Sequence, residues 1–85
     1  NSGEINFRIE QKQEAMEYLK NEYIKRETPS AYYDFDGYRI EFNNWWFNVR
    51  SSNTEPYLRL VVEAKDKELL DEKLGEIKSI LKTFE

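Results

Sequence analysis

The run Val49-Arg50-Ser51-Ser52-Asn53-Thr54-Glu55-Pro56 concentrates the side chains of this sequence best suited to holding an anion. A phosphate needs several donors converging on its oxygens. Arginine offers a planar fork that engages two of them at once, and lysine in its place would keep the charge and lose the fork. Ser52 and Thr54 add hydroxyls, Asn53 adds an amide NH₂, and the backbone N–H groups of a short loop can form an anion-binding concavity. The same residue types also make an ordinary polar turn, with Arg50 paired to Glu55 or Glu63 on the surface. Spacing alone leaves both readings open.

The elements that must carry this run follow from hydrophobic periodicity. Ile5, Phe7 and Ile9 alternate with Asn6, Arg8 and Glu10, which predicts a strand with one buried face. From Lys12 to Lys25, Ala15, Met16, Leu19, Tyr23 and Ile24 recur at spacings of three and four without Gly or Pro, which predicts a helix whose start lacks a good N-cap. The segment R-E-T-P-S-A, ending in D-F-D-G, reads as a connection into the next strand. Tyr38, Ile40 and Phe42, then Trp45, Phe47 and Val49, alternate on either side of Asn43-Asn44. Asparagine tolerates positive φ, so that pair suggests a tight hairpin. Leu58, Leu60, Val62 and Ala64 give a fourth strand beginning near Tyr57, and Asp66 can cap a last helix with the stripe Leu70, Leu74, Ile77, Leu81 and Phe84. The order β-α-β-β-β-α predicts an α+β fold, a mostly antiparallel four-stranded sheet with two helices packed on one face. The anion-suited run is then the loop joining the strand Trp45–Val49 to the strand that starts near Tyr57.

Composition narrows the chemistry. The chain of 85 residues contains neither cysteine nor histidine, which removes disulfides, thiolate nucleophiles, imidazole bases and the usual zinc ligands. A single domain of this size buries roughly 60–65% of its unfolded surface, enough for one modest core. Basic residues number 13 against 17 acidic ones spread along the chain, a net charge of −4, which argues against nucleic acid as a partner. No apolar run is long enough to span a membrane and no signal peptide is present, so a soluble, cytoplasmic protein with no membrane partner is expected. The start at Asn1-Ser2-Gly3 lacks an initiator methionine. That predicts a piece excised from a longer protein, residues 1–3 being an expression remnant and residues 4–85 a single domain.

Other groups read as structural. Asp34-Phe35-Asp36-Gly37 lacks the further ligands of a calcium loop and reads as a turn. Tyr32, Tyr33, Phe35, Trp45, Trp46 and Phe47 offer either a stacking platform for bases or a mixture of core and docking patch. Alternation sends Trp45 and Trp46 to opposite faces of the sheet, so only one of them can serve the helix-covered core. Glu10, Glu41 and Glu63 occupy polar strand positions, and Asp71, Glu72, Lys73, Glu76 and Lys78 make a solvated helix face.

The stretch D-G-Y-R-I-E-F followed by W-W-F-N-V-R-S-S-N-T-E-P-Y-L-R-L-V-V-E-A resembles the C-terminal domain, domain 4, of the α-D-phosphohexomutases, the family that includes phosphomannomutase and phosphoglucomutase. The match spans residues 36–64, and the helix after it also fits. The resemblance implies a TBP-like α+β fold and a loop that grips the phosphate of a hexose phosphate, the one not being transferred at that moment. Arg50, Ser52, Asn53 and Thr54 would contact that phosphate, with Glu55 and Pro56 shaping the loop. Ser51 stands where many relatives have proline, which would leave the loop less rigid. The family's phosphoserine, magnesium and sugar-specificity loops lie in three preceding domains. No catalytic residue, metal ligand or cofactor is therefore implied for this domain, which would be inactive alone, and Mg²⁺ is implied only for the full-length enzyme interconverting hexose 1- and 6-phosphates. Its implied partners are the hexose phosphate and the remaining domains, against which it would close and open. The rival reading is a free-standing interaction or nucleic-acid-binding module that uses an exposed aromatic sheet face.

Overall fold

The alternating runs on either side of Asn43-Asn44 form the centre of a five-stranded sheet in the computed structural model, which describes residues 2–85. The elements are β1 (Ile5–Arg8), α1 (Lys12–Arg26), β2 (Ala31–Tyr33), β3 (Tyr38–Glu41), β4 (Trp45–Ser51), β5 (Tyr57–Ala64) and α2 (Lys67–Lys82). The sheet order is β1-β5-β4-β3-β2, and every neighbouring pair is antiparallel. Strands β2 to β5 follow one another as a meander, while β1 adds to the far edge beside β5, so α1 crosses the sheet between the two edge strands. Both helices cover the same face.

The sheet has one strand more than the sequence pattern predicts. Ala31–Tyr33 lies within the segment read as a connection and pairs with Arg39–Glu41 instead. Three residues carry no measurable alternation, and β2 is an edge strand that gains its pairing only once β3 is in place. The usable signal was Asp36-Gly37 between Tyr-containing runs: Asp36 at φ +57° and Gly37 at φ +111° supply the left-handed conformations of a hairpin turn. At Asn43-Asn44 the hairpin is tight, with the Phe42 N–H donating to the Trp45 carbonyl oxygen at 2.7 Å, but neither asparagine takes positive φ.

The buried face follows the period-two and helical patterns. Ile40, Phe47, Val49, Leu58, Leu60 and Val62 are completely buried beneath Ala15, Met16, Leu19 and Tyr23 of α1 and Ile77 and Leu81 of α2. Ile24, assigned to the α1 stripe, is 41% exposed because it sits about 100° round the helix from Tyr23. Gln11 gives α1 no side-chain cap, whereas Asp66 accepts the Leu69 N–H at 2.9 Å and caps α2. Tyr23 joins the helices by donating to Glu76 at 2.9 Å. Burial, and then that hydrogen bond, raise its phenol pKa well above the ordinary value, so it remains a donor at neutral pH. Lys73 and Glu76, read as part of a solvated face, are half-buried here, and Lys73 lies over the ring of Trp45.

The two tryptophans part as alternation requires. Trp45 stacks between Phe42 and Phe47 in the core and donates its indole N–H to Glu27 at 3.1 Å. Trp46 lies on the uncovered face, with the Arg39 guanidinium 3.9 Å from its ring centre.

A surface hydrogen bond ties α1 to β3, and an ion pair within α1 supports it. Tyr38 donates its hydroxyl to Glu17, and Lys20 pairs with the same carboxylate at 3.0 Å. These contacts, Tyr38 first, hold the Glu17 carboxyl below the ordinary glutamate value of about 4.3. A folded pKa below the unfolded one stabilises the fold above the unfolded value, and that contribution disappears as pH falls through the folded value. Glu17→Gln is therefore expected to lower stability near pH 7 and to make the acid limb shallower, read as urea midpoints near pH 7 and about pH 3. An unchanged pH slope in the variant would overturn the assignment.

Candidate functional site

Pairing between β4 and β5 continues through Arg50↔Arg59 and Ser51↔Leu58, and the Ser52 N–H donates to the Tyr57 carbonyl oxygen at 3.0 Å. β4 thus runs two residues beyond Val49, where the sequence pattern ends it. Arg50 and Ser51 belong to a strand, and the connection is Ser52–Pro56. The pattern stops at Val49 because Arg50-Ser51 continues no apolar alternation, while β5 is long enough to pair with both.

Alternation directs Arg50 to the face not covered by helices, directly across from Arg59. Its guanidinium lies 3.5 Å from the Glu4 carboxylate, so the surface partner is Glu4 rather than Glu55 or Glu63. Both side chains are about two-fifths exposed, and a pair of that kind contributes little to stability, on the order of 0–1 kcal/mol.

Three carbonyl groups of the loop, those of Ser52, Glu55 and Pro56, turn inward. Ile9 N–H donates to the Pro56 carbonyl oxygen at 2.8 Å, and the Lys12 ammonium donates to the Ser52 and Glu55 carbonyl oxygens at 2.7 and 2.8 Å. The Tyr57 N–H also reaches the Glu55 carbonyl oxygen at 2.8 Å, closing a three-residue turn around Pro56, whose ring fixes φ near the value such a turn needs. Among the described residues, nothing in the chain accepts from the N–H groups of Asn53, Thr54 or Glu55, nor bonds the side chains of Ser52, Asn53 or Thr54. Asn53, Thr54 and Glu55 are exposed and Ser52 is half-buried. The loop therefore presents a set of unused donors, with Arg50 at the end of the strand that leads into it.

The β2–β3 turn packs against this strand end. A Cβ on Gly37 would lie 2.5 Å from the Val49 carbonyl oxygen and 2.8 Å from the Arg50 Cβ, at a φ that side chains rarely adopt. Gly37→Ala is expected to destabilise the chain by about 1–3 kcal/mol and to displace Arg50. Denaturant midpoints together with the amide shifts of Val49 and Arg50 test this, and a variant with wild-type midpoint and shifts would refute the packing argument.

The remaining candidates do not gather around the loop. A cleft of about 460 Å³ lies at the opposite end of β4 and β5, lined by Arg39, Glu41, Asn43, Asn44, Trp46 and Glu63 among others. The aromatic cluster is dispersed: Trp45 and Phe47 are core, Tyr32 stacks on Tyr38 on the helix side, Trp46 lies under Arg39, and Phe35 projects 94% exposed from the β2–β3 turn. Among the described residues, no group of three acidic side chains stands close enough together to hold a metal ion, Asp34 and Asp36 included. Glu10 and Glu41 pair with Arg8 and Arg39. Among the described residues, no helix is long and apolar enough to cross a membrane. Ser2 extends the β1 edge, exchanging hydrogen bonds with Val62 at 2.9 Å, while Asn1, the other polar residue of the expected remnant, lies outside the described residues. Sequence reasoning passed over Lys12. A lysine opening a helix carries no local signal of a contact 40 residues away.

A family model described as phosphoglucomutase/phosphomannomutase, C-terminal domain, matches residues 4–79. The chain is similar to a phosphomannomutase of Methanocaldococcus jannaschii, 42% identical over 80 residues, covering 94% of this chain and 17% of that protein. A phosphomannomutase of Vibrio cholerae serotype O1 is 40% identical over 85 residues, covering 99% of this chain and 18% of that protein. A probable phosphoglucosamine mutase of Thermococcus kodakarensis is 37% identical over 73 residues, covering 86% and 16%. The chain spans less than a fifth of the length of these curated relatives.

Proposed function

The chain belongs to the phosphoglucomutase/phosphomannomutase C-terminal domain family, and on that premise we propose that it binds the phosphate of a hexose phosphate while other parts of a longer enzyme transfer a phosphoryl group between the 1- and 6-positions of the sugar. The observation that carries this reading is the set of unused donors on Ser52–Glu55 beside Arg50, on a loop whose Ser52, Glu55 and Pro56 carbonyl groups are held inward.

The chain's own contribution is grip. The Arg50 guanidinium engages two phosphate oxygens, Ser52 and Thr54 donate hydroxyls, Asn53 donates its amide, and Glu55 and Pro56 hold the turn. An incoming anion competes with the Glu4 carboxylate for Arg50, so binding exchanges one carboxylate contact for a phosphate fork. Fixing the far phosphate orients the sugar toward a phosphoryl donor elsewhere in the enzyme, and positioning of this kind supplies several kcal/mol of a barrier in general. The domain would close on the substrate and open for the bisphosphate intermediate to reorient. Mg²⁺ would neutralise phosphate charge in the full-length enzyme, but the residues of this chain do not fit a magnesium site, having no suitably clustered carboxylates among those described. The proposed setting is the cytoplasm, where soluble sugar phosphates are metabolised.

Three or four of these hydrogen bonds formed at one time contribute about 1.5–3 kcal/mol each, and immobilising the ligand costs about 4–15 kcal/mol. Millimolar or weaker affinity is therefore expected for this chain by itself. Titration of the isotope-labelled chain with glucose 6-phosphate, followed by amide chemical shifts, tests the reading. Saturable shifts confined to Arg50–Glu55 and its immediate neighbours are expected. Shifts centred on Trp46, or none at saturating sugar phosphate, would overturn it.

A further inference from the structure

We infer that Lys12 is a positioning residue for the phosphate loop: its ammonium holds the Ser52 and Glu55 carbonyl groups turned away from the anion, so that the Asn53 N–H faces it and the turn at Glu55-Pro56 is held in place. This inference rests on the phosphate-binding reading of Ser52–Glu55.

The geometry comes from opposite ends of the chain. Lys12 opens α1, and its Nζ lies 2.7 Å from the Ser52 carbonyl oxygen and 2.8 Å from that of Glu55, three residues further on. One residue past β1, the Ile9 N–H takes the Pro56 carbonyl oxygen at 2.8 Å. Three of the loop's carbonyl groups are thus fixed by the junction between β1 and α1. A peptide unit is planar and trans, so its N–H points opposite to its C=O. Drawing the Ser52 carbonyl toward α1 therefore turns the Asn53 N–H away from α1, to the outer side of the loop. A flip of that one peptide would replace a donor with a carbonyl oxygen, and a partial negative charge would face the phosphate.

The choice of side chain matters as well as its position. An ammonium has three donors, and the two carbonyl oxygens use two of them. Lys12 makes no ion pair among the described residues, so its charge is not cancelled by a carboxylate and adds positive potential behind the loop. The carbonyl oxygen of Glu55 accepts from both Lys12 and the Tyr57 N–H, which couples the orientation of the loop to the turn around Pro56. Ser51 lacks the rigidity a proline gives at that position. The clamp from Lys12 restrains the adjoining peptide by hydrogen bonding instead.

The test compares the wild-type chain with Lys12→Met and Lys12→Arg by titration with glucose 6-phosphate, monitored by amide shifts, with hydrogen exchange of the hydrogen-bonded Ser52 and Tyr57 amides measured without ligand. Lys12→Met is expected to weaken binding about tenfold and to speed exchange severalfold at Tyr57, whose N–H is bonded to the clamped Glu55 carbonyl oxygen, with core amide shifts unchanged. Lys12→Arg, which keeps charge and paired donors, is expected to recover most of the affinity. Should Lys12→Met disturb the core shifts, Lys12→Gln serves as the second variant with the same expected losses. Wild-type affinity and wild-type exchange in the neutral variants would overturn the positioning role while leaving the phosphate site standing. Equal loss of affinity in the methionine and arginine variants would also overturn it. Absence of binding by the wild-type chain would overturn the phosphate site itself and this inference with it.

Discussion

Arg50→Lys is expected to weaken binding of glucose 6-phosphate to the chain by roughly 10- to 100-fold, although the formal charge is unchanged. The fork makes two parallel charge-assisted hydrogen bonds, and an ammonium at the end of a flexible stem replaces at most one of them well. Losing one such bond, about 1.5–3 kcal/mol, corresponds to that range. Arg50→Ala removes both and is expected to take the affinity of the isolated chain beyond measurement. The strand position of Arg50 sharpens this expectation. Its Cα is fixed by the ladder to Arg59, so little backbone adjustment is available to bring a shorter or differently shaped donor into place. Midpoints from amide-shift titrations of the two variants provide the measurement, with urea midpoints as the check on folding. A lysine variant that binds like the wild type would mean that Arg50 acts as a simple charge or not at all.

The second large effect is on stability. Phe47 is fully buried in the middle of β4, with ring centres 5.6 Å from Tyr23 and 5.7 Å from Trp45. Phe47→Ala removes a ring that both α1 and the sheet pack upon, and substitutions of this kind cost about 3–5 kcal/mol. A domain of this length has roughly 4–13 kcal/mol in total at typical per-residue stabilities. The variant is therefore expected to lose about a quarter or more of its urea midpoint, or to be partly unfolded without denaturant. Trp46→Ala, on the uncovered face two strands from the edge, removes only a half-exposed ring and its Arg39 contact, and is expected to cost about 1 kcal/mol or less. A Phe47→Ala chain with the parent's midpoint would refute the placement of the core.

Local repetition carried most of the fold. The alternation in Ile5–Ile9, Tyr38–Val49 and Leu58–Ala64 and the helical stripes of α1 and α2 repeat over several residues, so each element reveals its own buried face without knowledge of its neighbours. Elements or ends lacking such repetition were harder to read. β2 has only three residues, and the last two residues of β4 are polar. Their pairing is decided by the strand alongside. The conformation of the Asn43-Asn44 turn likewise follows the hairpin it closes rather than the tolerance of asparagine for positive φ.

The sequence by itself determined the α+β class, the helix-covered face, the division of Trp45 from Trp46, the resemblance of Asp36–Ala64 to the phosphohexomutase C-terminal domain, and the residue types concentrated in Arg50-Ser51-Ser52-Asn53-Thr54. Only the tertiary structure decided that Arg50 stands on a strand with its guanidinium beside Glu4, that Gly37 must leave room for it, and that Lys12 holds the Ser52 and Glu55 carbonyl groups. The physical reason is range. Periodicity and residue chemistry act over a few neighbours in the chain, whereas a hydrogen bond between residues 12 and 52 exists only after the sheet has brought the β1–α1 junction beside the β4–β5 connection.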